Sequence, residues 1–375
     1  MRMAKTATLL LFAAAMLLAG GGGAGGAEPS APHYADHSRL LVYLDAAGEE
    51  HRVETPADWA IRRRHVLAGM QEAMGPLPDR ENLPPLDVRV TGRMEGEGFE
   101  RLTVSFVPEP NDRLAAHLYL PAGRDPGRRV PAMLALHPTS ALGKDRVTEA
   151  GGVPNRMVAF ELAQRGYVVI APDYPSFGDS RGYDFQGDRY ESGTMKGIFN
   201  HMRCVDLLRT REEVDPERIG AIGHSLGGHN AMFVGVFDER LKVIVSSCGW
   251  TPFHDYYGGK IKGWTSDRYM PKLRDVYGLD PDRVPFDFYE VVAALAPRAF
   301  FSNSPLDDGN FDVAGVRKGI VEASRVFALL GAADRLEVRY PDCGHDFPPP
   351  VRREAYRFVD RVLRHEPARD VPRPG

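Results

Sequence analysis

Short runs of nearly unbroken apolar residues constrain this chain more than any other feature. Residues 130–136 read VPAMLAL, and the same type recurs at 168–171 (VVIA), 219–222 (IGAI), 243–246 (VIVS) and 299–301 (AFF). A strand covered on one face alternates apolar with polar, whereas one covered on both faces reads as continuously apolar. Residues 336–340 (LEVRY) close the series. Helical spacing occupies the intervals: 158–164 after the first run, 196–211 before the third, 229–236 after it, 313–330 before the last, and 352–363 at the end. Strands alternating with helices predict a mostly parallel sheet with helices on both faces, an α/β class. Upstream, residues 86–90, 102–107 and 115–120 alternate apolar and polar, as half-buried antiparallel strands do, so the sheet should be mixed.

Ahead of the strands, residues 57–74 carry Trp59, Ile61, Val66, Leu67, Met70 and Met74 at helical spacing with Arg62, Arg63 and Arg64 between them. Pro76, Pro78, Pro84 and Pro85 end that helix in a stiff connector. Residues 28–38 are small and polar and read as a loose leader. The expected layout is a leader, helix and connector over 28–85, a catalytic domain over 86–366 and a tail over 367–375. Within it, residues 250–290 lack clear alternation and are rich in aromatics, including Trp250, Phe253, Tyr256, Tyr257, Trp264 and Tyr269. They read either as an insertion above the sheet or as a buried irregular connection without a substrate role.

Residues 1–27 have the form of an export signal: Arg2 and Lys5, then an apolar stretch from Leu9 to Ala19, then small residues up to Ala27 with Gly25 two before it. The apolar stretch is well short of the ~20 residues that span a bilayer, and no Cys stands near the cleavage zone to take a lipid. Removal of the signal leaves 348 residues with net charge −6. The expected location is periplasmic or extracellular, without a stable membrane anchor. The whole chain has 47 basic and 51 acidic residues, a balance that argues against a nucleic-acid partner. Three cysteines and no C-x-x-C argue against a disulfide scaffold and a structural zinc site.

The densest chemical signal is Gly223-His224-Ser225-Leu226-Gly227, a G-x-S-x-G placed between an apolar strand and a helical pattern. A strand turning sharply into a helix leaves Ser225 exposed, and the flanking glycines keep side chains out of its way. The helix N-terminus behind it presents backbone N–H groups and a positive dipole end to a developing oxyanion. A serine hydroxyl needs a base. Downstream histidines are His229, His254, His345 and His365. His229 is on the nucleophile's own helix, His254 in the aromatic segment, and His365 beyond the last helical pattern. His345, in the loop after LEVRY and before the final helix, can reach over the sheet edge to Ser225.

The acid should lie in the loop after 299–301, where Asp307 and Asp308 are adjacent and only one can point at His345. It would hold the imidazole tautomer and stabilise the imidazolium. Asp342 and Asp346 flank His345 too closely in sequence to orient its ring. Two backbone donors are expected for the oxyanion: Leu226 N–H, and Thr139 N–H in the loop His137-Pro138-Thr139, with Ser140 as its rival. Pro138 has no N–H to give. His137, on the oxyanion side, is expected to be structural or to line the pocket.

Together with Pro172-Asp173-Tyr174-Pro175-Ser176-Phe177-Gly178-Asp179-Ser180, Asp308-Gly309-Asn310-Phe311 and Cys343-Gly344-His345-Asp346-Phe347, these segments resemble the α/β-hydrolase superfamily over residues 86–363. Within it the chain is similar to secreted acetyl xylan esterases and dienelactone hydrolase-like serine esterases. The resemblance implies an α/β-hydrolase fold, a Ser225–Asp308–His345 triad with Asp308 preferred for its Asp-x-Asn-Phe setting, and no cofactor or metal. Two departures stand out. Dienelactone hydrolases proper use a cysteine where this chain has Ser225. Glucuronoyl esterases of similar shape place an arginine after the serine, where this chain has Leu226. The implied activity is ester hydrolysis through an acyl-enzyme, with an acylated carbohydrate or small-molecule ester as substrate. A serine peptidase of prolyl-oligopeptidase type is the alternative, although the chain lacks a propeller-sized N-terminal region, and a non-catalytic binding protein is a third. Cys204, Cys248 and Cys343 allow one bridge; pairing of Cys343 with Cys248 would brace the base, and three free thiols are the other outcome.

Overall fold

The computed structural model describes residues 32–123 and 127–372. The export-signal reading of 1–27 falls outside them. A small antiparallel pair, β1 (Val42–Leu44) and β2 (Glu50–Arg52), precedes helix α1 (Pro56–Met74). Thr55 caps α1 by accepting from Asp58 N–H while the Asp58 carboxylate reaches back to Thr55 N–H, and Pro56 supplies a φ already fit for a first turn.

The main sheet is built from β3 (Arg89–Gly96), β4 (Phe99–Phe106), β5 (Leu114–Pro121), β6 (Val130–Leu136), β7 (Val168–Pro172), β8 (Val214–His224), β9 (Leu241–Ser247), β10 (Ala299–Asn303) and β11 (Leu336–Arg339). Their order across the sheet is β11-β10-β9-β8-β6-β7-β5-β4-β3. The pairs from β3 to β5, and β5 with β7, are antiparallel; β7 through β11 pair in parallel. Helices α2 (Val158–Gln164), α3 (Gly193–Thr210), α4 (Leu226–Phe237), α5 (Lys272–Asp275), α6 (Phe288–Ala294), α7 (Val313–Leu329) and α8 (Pro349–Leu363) connect or flank these strands.

The period of two along β6 divides the interior. Ala132, Leu134 and Leu136 face a cluster built with α1, α3, α4, α6 and α7, while Met133 and Ala135 face one built with α2 and α8. The continuous apolar reading of this strand therefore has the cause expected of it: both faces are covered.

Two expectations change, and one open choice is narrowed. Residues 86–88 do not join β3. Leu86 packs half-buried against the core, but Asp87 adopts φ 39° and Val88 and Val90 are exposed, so the alternation does not mark one covered face. The leader expected to be loose is tied down from Tyr34, whose hydroxyl bonds His65 Nδ1 at 2.8 Å and accepts from Leu44 N–H. Of the two readings of residues 250–290, the burial of Trp250, Phe253, Trp264, Phe286 and Phe288 in the larger cluster fits the buried connection. Burying each such ring contributes about 2 kcal/mol. Helix α6 starts here, with Asp287 and Glu290 forming its capping box.

Candidate active site

The carboxyl ends of β8, β9 and β10 and the loop after β11 meet at one place. Between β8 and α4 stands the single residue Ser225, at φ 56° and ψ −119°. That conformation is strained for a residue with a Cβ. It is held by Ser225 N–H donating to Ser247 O at 2.8 Å, and by Ser225 O accepting from Gly228 N–H (2.8 Å) and His229 N–H (3.2 Å). The flanking glycines are dictated by space. A Cβ on Gly223 would lie 2.1 Å from Gly227 O, and one on Gly227 would lie 2.0 Å from Leu136 O. The elbow is thus pressed against the end of β6, where the Thr139 loop begins.

Asp308 and His345, the expected acid and base, form a pair. His345 Nδ1 lies 2.9 and 3.0 Å from the two oxygens of Asp308. The Asp308 side chain is 1% exposed and that of His345 is 27% exposed. Burial raises the Asp308 carboxyl, but the His345 bond and charge and the N–H groups of Asn310 and Phe311 prevail and hold it below the usual carboxylate range. An ionised Asp308 fixes the proton on His345 Nδ1 and leaves Nε2 as the basic nitrogen. Asp307 is exposed; its N–H donates to Cys343 O at 3.1 Å. With Leu306 N–H on Pro341 O and Ser304 N–H on Arg339 O, this zips the acid loop to the base loop beyond the ends of β10 and β11.

His345 reaches the elbow through its neighbour. Its ring packs edge-on against His224 with centroids 4.8 Å apart, and Phe311 stacks on it at 6.0 Å. His224 is buried, which drives its pKa well below the ordinary histidine value, and its Nδ1 meets Ser247 Oγ at 2.9 Å. Asn303 Nδ2 donates to both Ser247 Oγ (2.9 Å) and Asp346 O (2.8 Å), tying the nucleophile's support to the base loop. Among the described residues no hydrogen bond joins Ser225 Oγ to His345. Such bonds are commonly long or open in an unliganded site.

Among the described residues the N–H groups of Leu226 and Thr139 donate to no acceptor, which leaves both available to a ligand. Ser140 is buried, and its Oγ takes Leu142 N–H and Arg146 Nε–H. His137 is structural: Nδ1 donates to Pro138 O (2.7 Å), Nε2 accepts Tyr174 N–H (3.0 Å), and burial keeps it neutral. His229 is sealed against Trp264 at 4.8 Å, and burial pushes its pKa down to about 3. His254 pairs with Asp282 and His365 with Arg165 O, so neither faces the elbow.

Several contributors had no signal in the sequence. Arg156 binds Asp346 and donates to His345 O at 3.1 Å, while Asn155 Nδ2 donates to Asp346 Oδ2 at 2.7 Å. Asp346 therefore anchors the loop rather than the ring. Tyr269, from the 250–290 segment, packs on Leu226, Tyr174 and Phe177 and meets Thr139 Oγ1 at 3.2 Å. The cysteine bridge is absent: Cys204, Cys248 and Cys343 are all free. Cys248 instead points its thiol at Asp346 O, 3.3 Å away.

Known proteins give this architecture a setting. Residues 111–267 match the X-Pro dipeptidyl-peptidase (S15) family. A Bacillus subtilis (strain 168) protein named as a hydrolase, YtaP, is 29% identical, over 81% of this chain and 99% of its own length. Carbohydrate esterase MZ0003, from an unknown prokaryotic organism, is 24% identical over 80% of each chain. A solved glucuronoyl esterase from Solibacter usitatus superposes with a TM-score of 0.65 at 20% identity, covering 89% of this chain and 98% of its own. The residue that follows Ser225 here is an apolar one, Leu226, 1% exposed and packed against Tyr174 and Phe177.

Proposed function

We propose that this α/β-hydrolase-fold chain is a serine esterase that cleaves carboxylic esters of carbohydrates through an acyl-enzyme. One observation carries the reading: the strained, glycine-flanked Ser225 directly follows His224, whose ring packs on an imidazole with its Nδ1 already committed to a buried carboxylate. Ser225 Oγ attacks the acyl carbon as His345 Nε2 takes its proton, and Asp308 stabilises the imidazolium. The Leu226 and Thr139 N–H groups receive the oxyanion; one such donor supplies ~3 kcal/mol in related chemistry. His345 then protonates the leaving alcohol, and water repeats the cycle from the other side.

Carbohydrate esters are favoured because relatives that span most of the chain bear the names of carbohydrate and glucuronoyl esterases. Leu226 stands where glucuronoyl esterases of similar shape place an arginine and offers no cation to the oxyanion of a uronoyl ester, which favours simple acyl esters such as acetates. We further propose that residues 1–27 export the protein; N-terminal sequencing of secreted material should begin at residue 28. The peptidase reading draws on the S15 match, which stops before Asp308 and His345. A fluorophosphonate probe tests the core of the proposal by labelling Ser225, and acetylated xylo-oligosaccharides against aminoacyl-proline anilides test the substrate. Label on another residue, or ester turnover undiminished in Ser225→Ala, overturns it.

A further inference from the structure

Beneath the acid–base pair lies a third group that the mechanism does not use. Cys248 follows β9 directly. Its backbone adopts φ 49°, left-handed and uncommon for a residue with a Cβ, and its N–H donates to Asn303 O at 2.8 Å. That geometry turns the thiol inward. Cys248 Sγ, a carboxylate oxygen of Asp308 and a ring nitrogen of His345 all lie within 4.8 Å of one another. The three residues leave the carboxyl side of three adjacent parallel strands, β9, β10 and β11, so the sheet itself sets their spacing.

We infer that Cys248, Asp308 and His345 constitute a binding site for one thiophilic divalent cation of the zinc class, and that filling it switches the base off. The donor set is of the right chemistry: one soft sulfur, one imidazole nitrogen and one carboxylate oxygen, with a fourth position left for water. In tetrahedral zinc, ligand atoms stand roughly 3.5 Å apart. Reaching that spacing asks Asp308 and His345, now 2.9 Å apart, to part slightly and the thiol to come no more than about an ångström closer. Charge also balances, since a thiolate and a carboxylate together neutralise the dication.

The proton accounting gives the consequence. The cation–sulfur bond forms as the S–H bond breaks, and that proton goes to solvent. Ligation at Nδ1 expels the proton that Asp308 held there, and Nε2 takes one up in its place. One proton is released overall and no electron moves. The nitrogen that should accept the Ser225 proton then already carries one, so catalysis stops without the ring leaving its place. This last step rests on the catalytic reading of Ser225 and His345; the binding step does not.

Cobalt(II) is a probe for both steps, because a thiolate ligand gives it a charge-transfer absorption that oxygen and nitrogen ligands do not. Titration of purified Ser225→Ala protein should give that band at one cobalt per chain, and Cys248→Ser should lose it. Zinc should inhibit ester turnover of the unmodified enzyme, and Cys248→Ser or Cys248→Ala should need at least tenfold more metal for the same inhibition. Cys343→Ser, altering the half-exposed thiol two residues before the base, should retain both responses. A missing band, or a band and inhibition that follow Cys343 instead, overturns the site. A full band with undiminished turnover overturns the switching. Failure of the catalytic reading appears separately, as turnover that survives Ser225→Ala.

Discussion

Two histidine–carboxylate pairs in this molecule share a distance and differ in what they can do. His345 Nδ1 stands 2.9 Å from Asp308, and His37 Nδ1 stands 2.9 Å from Glu290. At the N-terminal pair both ring nitrogens face a buried acceptor. His37 Nε2 donates to Val284 O at 2.9 Å, Glu290 also binds the buried Arg62, and the Arg62 guanidinium lies 3.5 Å over the Tyr34 ring. Burial opposes a charge on His37, but Glu290 prevails and its pKa is raised. Burial likewise opposes Glu290, yet Arg62 and His37 hold it at about 2. That pair is a clamp joining the leader, α1 and α6. At the other pair no hydrogen bond to the outer imidazole nitrogen is found among the described residues, the ring is part-exposed, and it packs on His224, which precedes the strained serine in the chain. The free nitrogen, not the short contact, separates the pair proposed to be catalytic from the structural one.

The comparison breaks most visibly if the wrong pair controls activity. His345→Ala should lower kcat about a million-fold with the fold intact, measured by ester hydrolysis and circular dichroism. Asp308→Asn should cost about 10,000-fold, because the tautomer is no longer fixed, again with little change in melting temperature. Glu290→Gln should do the reverse. Leaving Arg62 buried without its counter-charge should cost about 3 kcal/mol in denaturant unfolding, with kcat per folded molecule retained. pH sharpens the contrast. The raised pKa of His37 means its pairing contributes in full below the unfolded value of about 6.5 and is lost as pH rises through the folded value. The stability gap between the natural protein and His37→Gln should therefore narrow on going from pH 5 to pH 9. The smallest effect belongs to Asp307→Asn: its exposed carboxylate does not meet His345, so kcat should stay within about twofold.

The two regions were unequally visible in the chain. Ser225 could be found because an elbow needs glycine on both sides and a strand and helix around it. The pairing of His345 with Asp308 was legible because parallel strands deliver their loops to one edge in a fixed order. The apolar strands declared themselves by covering on both faces. Nothing local announced the clamp, since Arg62 looks like any solvated arginine between apolar helix positions until Glu290, more than two hundred residues later, folds onto it. The same holds for Arg156 on the base loop and for the burial of Phe253 and Trp264, whose partners come from distant segments. Cys248 was noticed only as a possible bridge, because a sequence records a thiol but not the direction in which a left-handed backbone aims it.

Acid and base hang from β10 and β11 and are stitched to each other by backbone bonds, with β11 a four-residue strand at the margin of the sheet. Margins fray before interiors do. Heating should therefore peel away the proton-handling pair as a unit while the serine turn, buried among β6, β8 and β9, keeps its shape, so that the enzyme falls silent some degrees before it melts.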